Sequence, residues 1–232
     1  MAQLSLFVGV IGNIISVLMF LSPVPTFWRI VKRGSTEEFG SLPYICTLLN
    51  SSLWTYYGVM KAGEYLVATV NGFGVMVETA YLILFLVYAP TKMRAKTGIL
   101  VGILDVGFFG VALIFTQIAL HSEVRIDVVG IMGAALNILM YGSPLSALRL
   151  VVRTKSVEYM PFLLSLCMFL NAAVWLLYAI LESDWILGVP NGSGFLLGAT
   201  QLVVYAMYRS PKSAIKFNQD DNQPHDPLIS SP

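Results

Sequence analysis

Amide and indole side chains occur along this chain in matched pairs. Asn50 and Trp54 are four residues apart, and Asn171 and Trp175 repeat that spacing 121 residues later. On a helix, residues four apart lie on the same face. Each pair therefore presents one amide and one indole side by side.

Two further amides, Asn71 and Asn191, each begin an Asn-Gly-x-Gly segment. An amide donates and accepts hydrogen bonds, which suits the hydroxyls of a sugar. An indole face suits the C–H face of a sugar ring, and a neutral ligand needs no charged partner. Alternatively, the asparagines tie helices together and the tryptophans lie in interfacial belts. The matched pairing of all six side chains favours the ligand-binding interpretation.

Catalytic motifs are missing from the sequence. It has no HExxH, no Walker loop and no pair of intramembrane aspartates, and its two histidines lie at a span edge and in the tail. We therefore expect no enzymatic activity, no cofactor, no metal site and no nucleic-acid partner.

The paired side chains must be positioned by membrane-spanning helices. Only 12% of the residues are charged and the mean hydropathy is +0.74, whereas a soluble domain has about 25% charged residues. The charges leave seven long apolar stretches, at 1–28, 39–60, 65–91, 97–122, 128–148, 159–181 and 185–208. Each is long enough to cross the hydrocarbon core as a helix, which takes roughly 20 residues. Lipid offers the backbone no other hydrogen-bond partners.

An internal duplication organises these helices. A shift of 120 or 121 residues aligns matching glycines, Ser-Pro pairs, asparagines and tryptophans. The first three-helix repeat spans 5–91 and the second spans 127–208, while 98–120 matches neither. Two repeats in the same orientation need one extra crossing between them. We therefore predict an all-α integral membrane protein with seven transmembrane helices, in which two parallel three-helix repeats flank linker helix 4 (3+1+3).

Basic residues predict the orientation in the membrane. Twelve of the fourteen fall on one side of the predicted topology, and only Lys61 and Arg125 fall on the other. Cytoplasmic loops are enriched in Lys and Arg. The N-terminus is therefore expected outside or in a lumen and the C-terminus in the cytosol. The polar segment 209–232 is expected to be a disordered cytosolic tail.

Four prolines recur at symmetric positions. Pro23 and Pro144 lie late in helices 1 and 5, whereas Pro43 and Pro161 open helices 2 and 6. A proline at a helix start is common because that N–H is unpaired anyway. Four at one membrane level instead favour the hinge layer of an inner gate, since proline bends a helix where it removes a hydrogen bond.

Two acids, Glu78 and Asp105, are the only ones deep in the spans. Intramembrane acids often carry protons in coupled transporters. Neither has a counterpart in the other repeat, and the spans contain no basic partner. We therefore predict structural hydrogen bonding for both rather than ion coupling.

Six segments of the chain closely resemble plant SWEET sugar transporters, the MtN3/saliva-like family. They are residues 23–27, 35–39, 42–44, 53–58, 155–162 and 190–192. The similarity covers 5–208, and parallel repeats are an established property of that family. The resemblance implies bidirectional, ion-independent sugar diffusion by alternating access, often as a homo-oligomer, with a trimer as one form.

The resemblance also implies roles for individual residues. Asn71 and Asn191 would bind sugar hydroxyls, and Trp54 and Trp175 would pack against the ring. The four prolines would form the inner hinge. The pair that would close the outer gate through a hydrogen bond is Tyr57 and Asp184.

Pocket size predicts the preferred sugar. Met19, Asn50, Asn137 and Met140 are expected to line the pocket, and they are larger than the Val and Ser of sucrose-moving relatives. Position 50 itself departs from the Ser of many members. A smaller pocket favours monosaccharides, hexoses such as fructose or glucose. The region of helices 1 and 2 most resembles the vacuolar branch, which favours the vacuolar membrane and leaves the plasma membrane as the alternative.

Two other functional classes compete with this interpretation. A seven-helix receptor would show no internal repeat and would commonly carry an outer-loop disulfide. A proton-coupled carrier of another small solute would accumulate its substrate against a gradient. A uniporter would only equilibrate it, and a receptor would give no flux.

Overall fold

The computed structural model describes residues 2–158 and 160–209, and regular structure within them is helical. The helices are α1 Ala2–Leu21, α2 Val24–Arg33, α3 Leu42–Met60, α4 Tyr65–Tyr88, α5 Thr91–Val101, a π-helical segment Gly102–Phe108, α6 Phe109–Ala119, α7 Ser122–Met140, α8 Gly142–Thr154, α9 Phe162–Leu181 and α10 Trp185–Tyr208. The predicted disordered tail lies, except for Arg209, outside the described residues.

These helices form seven crossings. The first breaks at Pro23 between α1 and α2, the fifth breaks at Tyr141 between α7 and α8, and α5, the π segment and α6 run on as the fourth. Five of the crossings are long and apolar enough to span a bilayer. The other two, α3 and α10, have 19 and 24 residues but carry more polar side chains. The predicted seven-helix all-α fold is confirmed.

Six of the crossings close into a ring. α4 packs against both α1 and α3, and α10 packs against both α7 and α9. The two triplets meet where α1 contacts α9 and where α3 contacts α7. The order around the ring is therefore α1, α4, α3, α7, α10, α9, with the two repeats related by a pseudo-twofold axis.

Matched glycines allow the two repeats to approach each other. A Cβ atom added at Gly130 would lie 2.7 Å from the ring of Tyr57, and one added at Gly9 would lie 2.9 Å from the ring of Tyr178. Carbon atoms do not approach that closely without displacing a neighbour. The absence of a side chain at both glycines therefore fixes the contacts of α7 with α3 and of α1 with α9.

The linker crossing packs outside the ring against α3, α4 and α7. It begins at Thr91, earlier than the predicted residue 98, because the chain turns straight into it at Pro90. Among its described side chains only Thr97 and Thr116 are buried. Their hydroxyls lie 2.7 Å from the Ser41 hydroxyl and 3.0 Å from the Tyr56 hydroxyl. The second repeat also starts earlier than predicted, at Ser122.

The two ends of the bundle differ in charge. We call the end formed by residues 29–41, 89–96, 149–158 and 160–161 the basic end, and the end formed by residues 61–64, 120–127 and 182–184 the opposite end. At the basic end Glu37 pairs with Arg29 at 2.6 Å and with Arg33. At the opposite end Glu64 and Asp184 are buried beside Lys61.

Candidate functional site

A cavity of about 500 Å³ lies inside the ring of the described helices. A volume of this size is typical of small-molecule sites, which run from about 300 to 1,000 Å³. Eight of the nine predicted substrate-binding residues line it, namely Met19, Asn50, Trp54, Asn71, Asn137, Asn171, Trp175 and Asn191. Side chains that are 121 residues apart in sequence thus share one enclosure.

Met140 is the exception among the predicted residues, because it is not part of the cavity lining. Its repeat counterpart, Met19, lies two residues inside the end of α1, whereas α7 ends at Met140. The break between helices therefore follows Met140 directly, at Tyr141, whereas in the first repeat it begins three residues after Met19. The expectation that both methionines line the pocket is wrong for Met140.

Backbone hydrogen bonds orient the two matched amides in α4 and α10. The Nδ2 group of Asn71 donates to the Val67 carbonyl at 2.9 Å, and that of Asn191 donates to the Leu187 carbonyl at 2.8 Å. Each bond uses one of the two N–H groups of the amide. The carbonyl oxygen and the second N–H of each asparagine stay available to a ligand in the cavity.

Each indole is held by a glycine of the other repeat. A Cβ atom added at Gly133 would lie 3.1 Å from Cε2 of Trp54, and one added at Gly12 would lie 3.0 Å from Cε2 of Trp175. Each indole therefore lies directly on the backbone of a helix from the other half. The two tryptophans belong to the interface between repeats as well as to the cavity wall.

Ser16 makes the two halves of the site unequal. Trp175 Nε1 donates to the Ser16 hydroxyl at 3.0 Å, and that hydroxyl donates to Asn171 Oδ1 at 2.7 Å. In the other repeat, Asn137 occupies the position that corresponds to Ser16. There, Asn50 Oδ1 is buried with no hydrogen-bond partner in the part of the chain described. The acceptor of Asn171 is thus satisfied internally, whereas that of Asn50 is free for a ligand. Ser16 was not predicted, although it is the repeat partner of a predicted residue.

At the opposite end of the bundle, Tyr57 and Asp184 join the two repeats. The Tyr57 hydroxyl donates to Asp184 Oδ2 at 2.7 Å, and Lys61 Nζ lies 2.7 Å from the same oxygen. Lys61 also donates to the Tyr57 hydroxyl at 2.9 Å. Asp184 Oδ1 accepts from the Leu187 backbone N–H at 3.1 Å and so caps α10. The pair predicted for the outer gate is in contact, together with a lysine that was not predicted.

A second acid–tyrosine pair lies symmetrically beside the first. Glu64, the counterpart of Asp184, lies beside Tyr178, the counterpart of Tyr57, and its Oε1 atom is 4.0 Å from Lys61 Nζ. Its Oε2 atom is buried without a hydrogen-bond partner among the described residues. Burial, followed by the charge of Asp184, raises the pKa of Glu64 to about 7, against the opposing effects of Tyr178 and Lys61. Two buried carboxyls therefore share one lysine.

The cavity is closed at the opposite end and reaches toward the basic end. The Tyr57, Tyr178 and Asp184 side chains are each at most 3% exposed, whereas Pro43 at the basic end is exposed and lines the cavity together with Pro23. Pro144 lies in the first turn of α8 and Pro161 directly precedes α9, and neither is part of the cavity lining.

The two intramembrane acids have buried carboxyl oxygens without hydrogen-bond partners in the part of the chain that the structure describes. Both carboxyl oxygens of Asp105 and Oε2 of Glu78 are buried without a partner among the described residues. The prediction of structural hydrogen bonding is therefore wrong for Asp105. Glu78 lines the cavity, whereas Asp105 lies in the π segment outside it.

A family model described as "Sugar efflux transporter for intercellular exchange" matches two segments of the chain, residues 6–93 and 127–213. This chain belongs to that family. The predicted resemblance to SWEET proteins is confirmed, and the chain is a sugar transporter rather than an enzyme.

Individual SWEET relatives agree with this assignment. The chain is 58% identical to the bidirectional sugar transporter SWEET17 of Arabidopsis thaliana over 213 residues, which cover 91% of this chain and 88% of the relative. It is 52% identical to SWEET16 of Arabidopsis thaliana, with 99% of this chain and 100% of the relative covered. The 3.7 Å structure of a eukaryotic SWEET transporter superimposes with a TM-score of 0.85 at 42% identity, over 90% of this chain and 98% of that one.

Proposed function

We propose that this protein is a uniporter that equilibrates hexoses such as fructose or glucose across a membrane, in both directions and without ion coupling. Transport would proceed by alternating access between the two repeats, 5–91 and 127–208, with 98–120 as the linker helix. The observation that carries this proposal is the cavity between the repeats, in which matched amides and indoles surround a space without a basic side chain.

Alternating access is supported by the arrangement of the two ends. The halves are tied together at the opposite end by Tyr57, Lys61 and Asp184. At the basic end, α2 packs on α4 and α8 packs on α10, each inside its own repeat. In the proposed cycle this arrangement is the state with the outer gate closed, and Pro23, Pro43, Pro144 and Pro161 would serve as the inner hinge.

A hexose preference is supported by the side chains at the wall of the cavity. Met19, Asn50 and Asn137 all line it and are bulkier than the Val and Ser of sucrose-moving relatives. Larger side chains leave less room beside the indoles once the cavity closes around its ligand. We therefore assign the substrate to the monosaccharides.

Radiotracer flux in proteoliposomes tests the function. Labelled fructose or glucose should equilibrate across the membrane at equal pH and should not accumulate when a pH gradient is imposed. The alanine variants Asn71→Ala and Asn191→Ala should lose saturable flux. No flux above protein-free liposomes would contradict the proposal.

Proton-coupled carriage is the second candidate, and Glu78 is the observation that favours it. Its carboxyl lies in the cavity wall with Oε2 unpaired within the described residues. Accumulation of sugar driven by an imposed pH gradient would establish coupling and contradict uniport.

The charge distribution supports an orientation with the basic end in the cytosol and the N-terminus outside or in a lumen. We place the protein in the vacuolar membrane, with the plasma membrane as the alternative. A fluorescent fusion imaged against markers of both membranes decides between them, and protease protection of the loop at Lys92 tests the orientation.

A homo-oligomer, with a trimer as one form, completes the proposal. The linker crossing supports it, because its side chains are mostly exposed and apolar in the isolated chain, with Ile118 82% exposed. Lipid or a second copy can cover such a surface equally well. Cross-linking in native membranes, read as monomer, dimer or trimer bands, tests this part separately.

A further inference from the structure

Glu78 is a buried acid that the central sugar site does not use. It lies in α4, its side chain is 4% exposed, and it forms part of the cavity wall. Its Oε2 atom has no hydrogen-bond partner in residues 2–158 and 160–209. A buried, unpaired carboxyl is costly in a membrane protein and is by default the mark of a functional site.

The position of Glu78 along α4 separates it from the central amides. It follows Asn71 by seven residues, or two helical turns, so both side chains lie on the same face. Seven residues rise about 10 Å along the helix. Because α4 runs from the opposite end to the basic end, Glu78 lies on the basic-end side of Asn71.

Other polar cavity residues accompany Glu78 at that depth. Tyr44 and Thr47 of α3 line the cavity with it. Tyr44 is held by edge contacts with Phe27 and Tyr81, at 4.9 and 5.8 Å between ring centroids. The cavity therefore continues past the amides and indoles into a second layer that has its own hydrogen-bonding groups.

The second repeat contributes no equivalent acid. The shift of 120 residues that aligns Asn71 with Asn191 aligns Glu78 with Gly198. A Cβ atom at Gly198 would lie 2.9 Å from Cα of Phe169, so the packing of α10 on α9 excludes any side chain there. Glu78 is consequently a feature of one half only and is not required by the symmetry of the fold.

The chemistry of a lone carboxyl limits what it can bind. Within the described residues no group of three or more His, Cys, Asp or Glu side chains is arranged to hold a metal ion. Each oxygen of a carboxylate accepts hydrogen bonds strongly, and neighbouring hydroxyls of one sugar can supply two donors at once. A polyhydroxylated neutral ligand therefore satisfies Glu78 without introducing another charge.

We propose that Glu78 is a second hydroxyl-binding subsite for sugar, which holds the ligand between the central amides and the basic end. The inference rests on the proposed function, since a sugar must pass through the cavity to reach it. The subsite makes the pathway asymmetric. A sugar that enters from the basic end meets Glu78 before it meets Asn71 and Asn191, and a sugar that enters from the opposite end meets it afterwards.

Oriented proteoliposomes and three chains test the subsite: wild type, Glu78→Gln and Glu78→Leu. Asp105→Asn is the matched control, because Asp105 is also an unpaired acid in a span but lies outside the cavity. Glu78→Leu should raise the half-saturating sugar concentration at the basic face about threefold to tenfold, as expected for the loss of a hydrogen bond to the sugar. Glu78→Gln keeps one acceptor and should have a smaller effect, and Asp105→Asn should have none.

Deoxy sugars separate binding from a merely structural role. Each member of the series lacks one hydroxyl, and a site that hydrogen-bonds a hydroxyl discriminates against the analogue that lacks it. At the basic face, wild type should bind one or two of the deoxy sugars more weakly than the parent sugar because they lack the hydroxyl that bonds to Glu78. Glu78→Leu should bind these analogues as well as the parent sugar, while its discrimination against the other deoxy sugars stays as in wild type. If Glu78→Leu is not recovered in the membrane, the same comparison with Glu78→Gln decides.

Three results would overturn the subsite. The first is that both Glu78 variants match wild type in their half-saturating sugar concentrations and in their discrimination among deoxy sugars. A uniform loss of flux for every analogue would mean that Glu78 only supports the fold. A pH-driven sugar accumulation that Glu78→Gln abolishes would make Glu78 a proton carrier. A wild type without sugar flux would instead refute the proposed function itself.

Discussion

Lys61 of the first repeat reaches Asp184 of the second, with its Nζ atom 2.7 Å from Asp184 Oδ2. The same oxygen accepts the Tyr57 hydroxyl at 2.7 Å. Asp184 is 3% exposed, so its charge is balanced by Lys61 and by hydrogen bonds rather than by water. The closed end of the cavity therefore depends on the Asp184 carboxylate and its three donors, which are the Tyr57 hydroxyl, Lys61 Nζ and the Leu187 backbone N–H.

Substitutions in this group should open the closed end. Tyr57→Phe removes the hydroxyl that donates to Asp184. Because a hydrogen bond to a charged group contributes about 1.5 kcal/mol or more, its loss should destabilise the closed form by about that amount. Asp184→Asn should open it further, because it removes the charge partner of Lys61 and replaces one acceptor oxygen with an N–H donor. The measurement uses Leu187→Cys in a Cys46→Ala, Cys167→Ala background. A membrane-impermeant thiol reagent is added at the opposite end, and faster labelling of the introduced thiol means that this end is more often open. Glu182→Gln, at an exposed acid of the same loop, is the control. Equal labelling in all variants would contradict a gate at Tyr57 and Asp184.

Glu64 should make the closed end sensitive to pH. Burial and, after it, the charge of Asp184 raise its pKa from an ordinary value of 4.5 to about 7. When the end opens, Glu64 reaches water and its pKa returns toward the ordinary value. Proton binding therefore favours the closed form, fully so below about pH 4.5, and this advantage is lost as the pH rises through about 7. The groups that face Glu64 are Lys61, Tyr178, Glu182 and Asp184.

The expected result is slower sugar flux as that face is acidified. Between pH 8 and pH 5 the flux of wild type should fall roughly threefold to tenfold where opening limits the rate. Glu64→Gln is permanently neutral and should show low flux with little pH dependence. Glu182→Gln removes only the smallest contribution to the raised pKa of Glu64 and should stay close to wild type. Faster flux on acidification in wild type would refute this role of Glu64.

The matched residues of the site could be predicted from the sequence because the duplication reveals them. Asn50 and Trp54 recur as Asn171 and Trp175, and pseudo-twofold symmetry brings both pairs to one axis. Symmetry could not predict where the halves differ. Ser16 occupies the acceptor of Asn171, whereas Asn50 keeps its own acceptor free.

Other features depend on contacts between helices and carry no sequence pattern. Glu64 stands in a short polar loop and has the sequence pattern of a solvated acid. In the structure it lies beside Tyr178 of α9 and Asp184 of the loop before α10, and it is only 2% exposed. Met140 mirrors Met19 in sequence, but α7 ends there. Loop acids and helix ends are decided by tertiary packing, so neither could be predicted from local sequence.

The glycines beneath the indoles should control sugar affinity. An alanine at Gly133 would place a methyl group 3.1 Å from Trp54 Cε2, and one at Gly12 would place it 3.0 Å from Trp175 Cε2. Each indole would have to shift by a few tenths of an ångström toward the cavity. We expect Gly133→Ala and Gly12→Ala to raise the half-saturating sugar concentration about tenfold, since an overpacked site costs about 1–3 kcal/mol.

Gly72→Ala is the matched control for these variants. Its nearest neighbour would be Thr55 Cγ2 at 4.0 Å, an ordinary contact, and alanine is the better helix former by up to about 1 kcal/mol. It should transport like wild type. Unchanged affinity in Gly133→Ala would mean that the Trp54 indole does not pack against the sugar.

Met19 and Met140 provide a matched test of substrate selectivity, because they are repeat counterparts and only Met19 lines the cavity. Met19→Val should enlarge the pocket and raise sucrose uptake relative to hexose uptake, by up to about tenfold if discrimination resembles that for a methylene group in an apolar pocket. Asn137→Ser, at another lining position, should act in the same direction. Met140→Val should leave the ratio near that of wild type.

An unchanged ratio in both Met19→Val and Asn137→Ser would eliminate pocket volume as the cause of a hexose preference. An equal change in Met19→Val and Met140→Val would mean that both methionines act through the fold, since only one of them touches the space that the sugar occupies.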